Sequence, residues 1–213
     1  MKTKIALLLT LFFAGVVGFS QQDEECMTKL SIFHEYVKAK NFDAAYQPWM
    51  DVRTKCPKFN NAIYIDGEKI LDDKIEKSSG AEKIAFCNDL MKMWKEREEN
   101  FSSKTPKGEY AANACQLMYD NRELLGKTDL ELYACFDAAY NLDKETFTNP
   151  KSLYTYFSLM VDLYDAGKKP AADLFNKYDD VVEKVEDEVK NYSGNLNTLI
   201  AKVDNGTELT KIL

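Results

Sequence analysis

Histidine is almost missing from this chain: His34 is the single one in 213 residues. One imidazole removes most zinc sites and leaves a hydrolytic triad only one place to stand. His34 lies on a helical stretch beside Glu35 and the core-facing Phe33, which reads as a solvated or structural position. There is no Gly-x-Ser-x-Gly elbow, no phosphate-cradling glycine loop and no Asp-rich calcium loop of the right spacing. No Cys-x-x-Cys pair occurs, so a thioredoxin-type centre or zinc knuckle has no basis. Period-2 alternation of β-branched residues is also absent, so no sheet is expected. Positive charge is in deficit. The formal charge is −7, and losing Lys2 and Lys4 with the first twenty residues would take it to −9. That disfavours a nucleic-acid surface and docking on an anionic membrane. The reading is of a protein that is not an enzyme and carries no cofactor or metal.

What is present begins with an export signal over residues 1–20. Lys2 and Lys4 are followed by an almost unbroken apolar run from Ile5 to Val17, and Gly18 and Ser20 suit cleavage before Gln21. The run is short for a membrane span, and no later segment approaches spanning length. Cys26 lies too far beyond Ser20 for a lipoprotein. An exported chain, periplasmic or associated with the outer membrane, is expected.

Hydrophobic residues make up 45% of the chain, enough for a sizeable core. Helical periodicity runs from Cys26 onward, cut by short breakers such as Lys40-Asn41, Cys56-Pro57, Ser78-Ser79-Gly80, Thr105-Pro106, Gly126-Lys127-Thr128, Asn149-Pro150 and Gly167 to Pro170. The spacing predicts helices over 24–39, 42–55, 60–77, 80–100, 107–124, 129–145, 150–166, 170–192 and 195–204. Thr128 and Asn149 suit N-caps, with Pro150 in a first turn. Short loops make successive helices antiparallel. A row of such pairs, starting near 24, 60, 107 and 150, stacks as an all-α, right-handed solenoid of antiparallel hairpins over residues 21–213.

The stretch 26–59 resembles one tetratricopeptide repeat. The resemblance rests on Ile32 and Tyr36 in the first helix, Phe42 after the turn, Ala45 where the helices touch, Trp49 and Val52 beyond it, and Pro57 at the end. Lys29, Phe33 and Pro48 depart from the pattern. Tyr154 to Tyr178 has some of the same character, with Tyr164, Gly167 and Ala172 near family-like places. What the resemblance implies is a scaffold that binds peptides or protein surfaces without catalysis.

Five cysteines remain in the mature chain, an odd number, so at least one thiol is free or pairs with another chain. Cys26 and Cys56 stand at the start of one helix and the end of the next, where a hairpin brings chain together, so a disulfide is expected. Cys115 and Cys135 are level across the Gly126 turn and form a second candidate pair. Cys87 is then left over as a buried small hydrophobe. Asp66, Glu68, Asp72 and Asp73, with Lys69 and Lys74 among them, read as a solvated face. Asp179 to Glu188 reads as the acidic outer face of an amphipathic helix bearing Val181, Val182, Val185 and Val189, with a metal or a basic partner as the functional alternatives. The aromatics cluster at Tyr133, Phe136 and Tyr140, and again at Tyr154, Tyr156, Phe157 and Tyr164. Most read as packing between layers; Tyr154, Tyr156 and Tyr164 form a candidate partner groove.

The function expected is therefore a non-catalytic, exported scaffold or adaptor of the cell envelope that binds a protein partner. A glycan- or peptidoglycan-binding helical module is the alternative, since tyrosines also hold sugars. Asn205-Gly206 to Leu213 reads as a turn and a helix just begun, as in the front part of a longer protein.

Overall fold

A computed structural model describes residues 23–204, with side chains to 194. The export signal at 1–20 and the segment 205–213 lie outside the described residues. Among the described residues all regular structure is helical, with no strand. No helix among them is long and apolar enough to cross a membrane. The chain divides into two compact units, one ending at Thr105 and the other starting at Pro106.

The first unit contains α1 (23–38), α2 (Phe42–Lys55), α3 (Ala62–Lys77), α4 (Gly80–Asn100) and a 3₁₀ turn, Ser102–Lys104. Lys40 takes a left-handed φ of 54°, and the Asn41 amide closes back onto the Tyr36 carbonyl at 2.8 Å. The Asn41 side chain then accepts from the Ala44 amide and starts α2. α2 continues through Pro48 and ends at Cys56, whose amide donates to the Val52 carbonyl. α3 packs against both α2 and α4. Phe33, Ala45, Trp49, Val52, Ile63, Tyr64, Ile70, Leu71, Cys87, Leu90 and Met93 are buried. Fully burying the Phe, Val, Ile, Leu and Met side chains among them contributes about 1.5–3 kcal/mol each.

Two residues assigned to the repeat core are outside it. Ile32 is 42% and Tyr36 39% exposed. α1 buries one stripe, made by Cys26, Phe33 and Val37. Ile32 and Tyr36 each precede a stripe residue by one position, which turns them about 100° round the helix. The Cys26–Cys56 disulfide, Cα to Cα 6.5 Å, joins the first turn of α1 to the residue closing α2. Phe42 and Pro57 are half-buried.

Asp66 is a second correction. It is 2% exposed and belongs to the buried face of α3 with Ile63 and Ile70, not to a solvated face. His34 Nδ1 lies 2.5 Å from its carboxylate and Lys69 Nζ donates to it at 3.1 Å. These contacts from α1 and from the next turn of α3 meet the cost of burying the charge. Glu68 and Asp73 are half-buried, and Asp72 is exposed as expected.

The second unit contains α5 (Lys107–Asp120), a single turn α6 (Arg122–Leu125), α7 (Asp129–Leu142), α8 (Pro150–Asp165) and α9 (Ala171–Asp204). The helix expected over 107–124 breaks at Asn121, and Gly126, at φ 62°, ends the extra turn. Thr128 and Glu131 form a reciprocal capping box at the start of α7. α7 stops at Leu142 rather than 145, because the Asp143 side chain accepts from the Thr146 amide and hydroxyl and turns the chain. Asn149 caps α8 by accepting from the amides of Lys151 and Ser152. α9 is one helix where two were expected. Gly194 sits inside it, for a glycine without a left-handed turn only lowers helix propensity, by about 1 kcal/mol.

α5 packs on α7 and α8, α7 on α8, and α8 on α9. Cys115 and Cys135 are bonded across α5 and α7, Cα to Cα 5.7 Å. Cys87 is the free, buried thiol. Tyr156 stands at the centre of the core, its ring within 5.4–6.2 Å of those of Tyr133, Phe136, Tyr140 and Phe147.

Candidate binding cleft

The second unit holds a polar network and an apolar cleft side by side. The network ties α9 to α7 and α8. The Tyr156 hydroxyl donates to the Asp137 carboxylate. Lys177 Nζ donates to the same oxygen at 3.2 Å and lies 4.7 Å from the Tyr156 ring centre. The Tyr140 hydroxyl donates to the Asp180 carbonyl, and Lys184 Nζ to the Glu145 carbonyl. Burial works against the Asp137 charge, but the Tyr156 hydroxyl and the Lys177 ammonium outweigh it and hold the carboxyl below its ordinary value. Burial beside Asp137 raises both tyrosines nearest it. Tyr133 is pushed up to about 12 and Tyr156 further in the same direction. Neither phenol ionises near neutral pH, and with Tyr156 fully buried the network is a clamp on α9.

Beside the clamp, α8 and α9 pack together and line a cleft of about 630 Å³ between them. Thr148, Pro150, Leu153, Tyr154 and Phe157 form one wall. Val181, Val185, Glu188, Val189 and Tyr192 form the other. Leu153 and Val181 are the buried floor, while Tyr154 and Tyr192, 75% and 73% exposed, stand at the lips. Pro150 and Asn149 set the wall's position, since they start α8 one turn before Leu153.

Comparison of the chain with protein-family models, curated proteins and solved structures finds no match.

Of the three tyrosines assigned to a partner groove, only Tyr154 lines this cleft. Tyr156 is buried in the core. Tyr164 is 40% exposed and not part of the cleft wall. Successive helix residues turn by 100°, so Tyr154 and Tyr156 stand on opposite sides of α8. On α8 the expected groove omits Pro150 and Leu153 and assigns Phe157 to packing, although Pro150 is three and four residues before Leu153 and Tyr154, and Phe157 four and three after them. On α9 the valines were read as one amphipathic face, but Tyr192 was not joined to them. A wall-by-wall reading of three-and-four spacing would have found both.

The lining is mostly apolar. Its polar groups are the Thr148 hydroxyl, the tyrosine hydroxyls and the Glu188 carboxylate, the last paired with Lys184 at 2.7 Å. His34, half-exposed beside Asp66, belongs to the first unit. Among the described residues no group of three or more His, Cys, Asp or Glu could hold a metal ion.

Proposed function

We propose that the protein is an exported, non-catalytic scaffold of the cell envelope, built from tetratricopeptide-like antiparallel hairpins stacked as a right-handed solenoid, and that it holds a partner polypeptide. The observation that carries the holding role is the open apolar cleft between α8 and α9, with exposed tyrosines at its lips. Concave, mostly apolar sites with a few polar groups are the usual form of a binding site. Aromatic lips supply contact area at small entropic cost. The hairpin reading draws support from the Cys26–Cys56 bond and from the packing of α2 on α3, α3 on α4, α5 on α7, α7 on α8 and α8 on α9. Ala45, Trp49 and Val52 are buried as a repeat requires, whereas the exposure of Ile32 and Tyr36 counts against the repeat's first helix. A lining of Leu, Val, Phe and Pro suits an apolar peptide face better than a sugar, which needs many hydrogen-bonding groups.

A photo-crosslinking residue placed at 154 or 192 tests this in the cells that make the protein. A discrete protein adduct is expected from both positions and not from exposed Lys168. Adducts that are equal at all three positions, or absent from the two lips, overturn the reading. Adducts to cell-wall polymer would turn it toward a glycan-binding module.

A further inference from the structure

The exposed side of α9 carries more than the cleft wall. Phe175, Tyr178, Val182, Val185, Val189 and Tyr192 follow one another at intervals of three, four, three, four and three. That is the a/d alternation of a coiled-coil seam, sustained over two and a half heptads. An ordinary surface helix would bury this stripe in its own core. Here Val182 is half-buried, and the other five are between 42% and 73% exposed. The core-facing work of α9 is done by a different stripe, Lys177, Val181 and Lys184, which the Asp137 and Glu145 contacts hold inward. The seam meets its own unit along one side, where the Tyr178 ring lies 5.9 Å from that of Phe157 and Tyr154 stands at the wall of the cleft, and the rest of it is left exposed.

Charge selects the occupant. In a coiled coil the residues flanking the seam face those of the partner helix. With Phe175 and Tyr178 as a and d, the flanking positions on the solvent side are Asp179 and Glu186, two helical turns apart. Both are exposed and neither forms an ion pair among the described residues. The charged flank on the other side is Glu188. No lysine or arginine occupies a flanking place between 174 and 193. A second copy lying antiparallel would set Asp179 and Glu186 against each other's counterparts, which disfavours pairing. We infer that the α9 seam receives an amphipathic helix of another protein, apolar along its own seam and basic at the positions that meet Asp179 and Glu186. This inference rests on the cleft being a polypeptide-binding site, and it adds the conformation and the charge of what binds.

The test uses the chain from Gln21 with its disulfides intact and three synthetic three-heptad peptides. One has Leu at a and d with Lys at e and g. A second has Glu in place of Lys, and a third has the Lys composition with the order scrambled. Isothermal titration and fluorescence anisotropy are read at low and at physiological salt. The Lys helix is expected to bind, more weakly as salt rises, and the Glu helix about tenfold more weakly or not at all. Asp179→Lys with Glu186→Lys should reverse that order. Val189→Ser with Tyr192→Ser, both largely exposed and so tolerated by the fold, should weaken both helices. Equal binding of Lys and Glu helices, or an order unmoved by the charge reversal, overturns the basic-partner inference and leaves the cleft reading standing. Equal binding of the scrambled peptide reduces the effect to general charge attraction and overturns the seam. If no helix binds and the crosslinks from 154 and 192 are also absent, both readings fall. Sedimentation showing a dimer that Val189→Ser dissociates makes a second copy the occupant and overturns the inference.

Discussion

The indole Nε1 of Trp49 on α2 donates a 2.7 Å hydrogen bond to the main-chain carbonyl of Ile63 on α3, 14 residues further along the chain. The bond satisfies the one polar group of a side chain that is otherwise fully buried. It also sets the indole against Gly67, one turn further along α3. A methyl group at 67 would come within 2.6 Å of Trp49 Nε1 and 2.7 Å of Met93 Sδ. The glycine is thus the gap through which α2 and α4 both reach α3.

Gly67→Ala is therefore expected to destabilise the first unit by about 1–3 kcal/mol, even though alanine is the better helix former. Gly194→Ala is the control, because a Cβ there meets nothing. It should stabilise α9 by about 0.5–1 kcal/mol through propensity and unfolded-state entropy. Urea midpoints of the two variants should move in opposite directions. Movement in the same direction would remove the packing account of Gly67.

Each disulfide should contribute roughly 3 kcal/mol, on the loop-entropy estimate for separations of 30 and 20 residues. Cys26→Ser and Cys115→Ser, each made with its partner cysteine also changed, should lower the thermal midpoint accordingly. Cys87 is buried, and burial pushes its thiol up from the ordinary value. A thiol reagent should then find close to no reactive thiol in the native protein and one per chain in denaturant. Two or more thiols under native conditions would rule out the pairing described.

Arg53 is 5% exposed and donates to Glu96 and Asp89, with its guanidinium 5.2 Å from the Trp49 ring. Removing it leaves two carboxylates close together against apolar surface. Arg53→Met should cost about 2 kcal/mol, less than for a wholly buried pair because both acids keep some contact with water. Added salt should recover little of the loss. A neutral result in chemical unfolding would show that the pair only decorates the surface.

The clamp predicts how stability responds to pH at both ends. Asp137 has a depressed folded-state value, so its contribution is present above the ordinary carboxylate value and is lost as pH falls through the depressed one. The tyrosines act in the opposite sense. Tyr133, raised to about 12, keeps its proton in the fold while the unfolded phenol ionises near 10, so stability is full below about 10 and declines from there toward 12. Tyrosine absorbance titration should show at least one phenol ionising late and together with unfolding. Tyr156→Phe should raise the Asp137 value, read by carboxyl NMR, because its hydroxyl is one of the groups that lowers it.

Much of the local structure was legible because it is encoded by near neighbours. Lys40-Asn41, Thr128, Asn149-Pro150 and Gly167 act through their own dihedrals and side chains, and the helix ends fall beside them. Both expected cysteine pairs are bonded, Cα to Cα 6.5 and 5.7 Å; their places along the chain pointed to the pairs, while the facing of their side chains was set by the packing of the helices. The misreadings have one cause. Which side of a helix faces inward depends on the neighbouring helix, and a shift of one residue moves the stripe by 100°. Ile32 and Tyr36 were lost to Phe33 and Val37 in this way, and Tyr156 left the groove for the core. Asp66 was misread because a carboxylate scans as solvated until His34 and Lys69 arrive beside it from the fold.

The sequence by itself determined that the chain is helical, where most helices begin and end, and which cysteines could pair, since those properties depend on residues within a turn or two of one another. It also held the seam of α9, at spacings of three and four. Only the tertiary structure decided that this seam is left outside. Lys177 and Lys184 anchor the opposite flank of α9 to Asp137 and to the Glu145 carbonyl, contacts some forty residues apart in sequence. Once that flank is held, the apolar stripe meets its own unit only on the side of Phe157, and most of it stays exposed beside the open cleft at Tyr154.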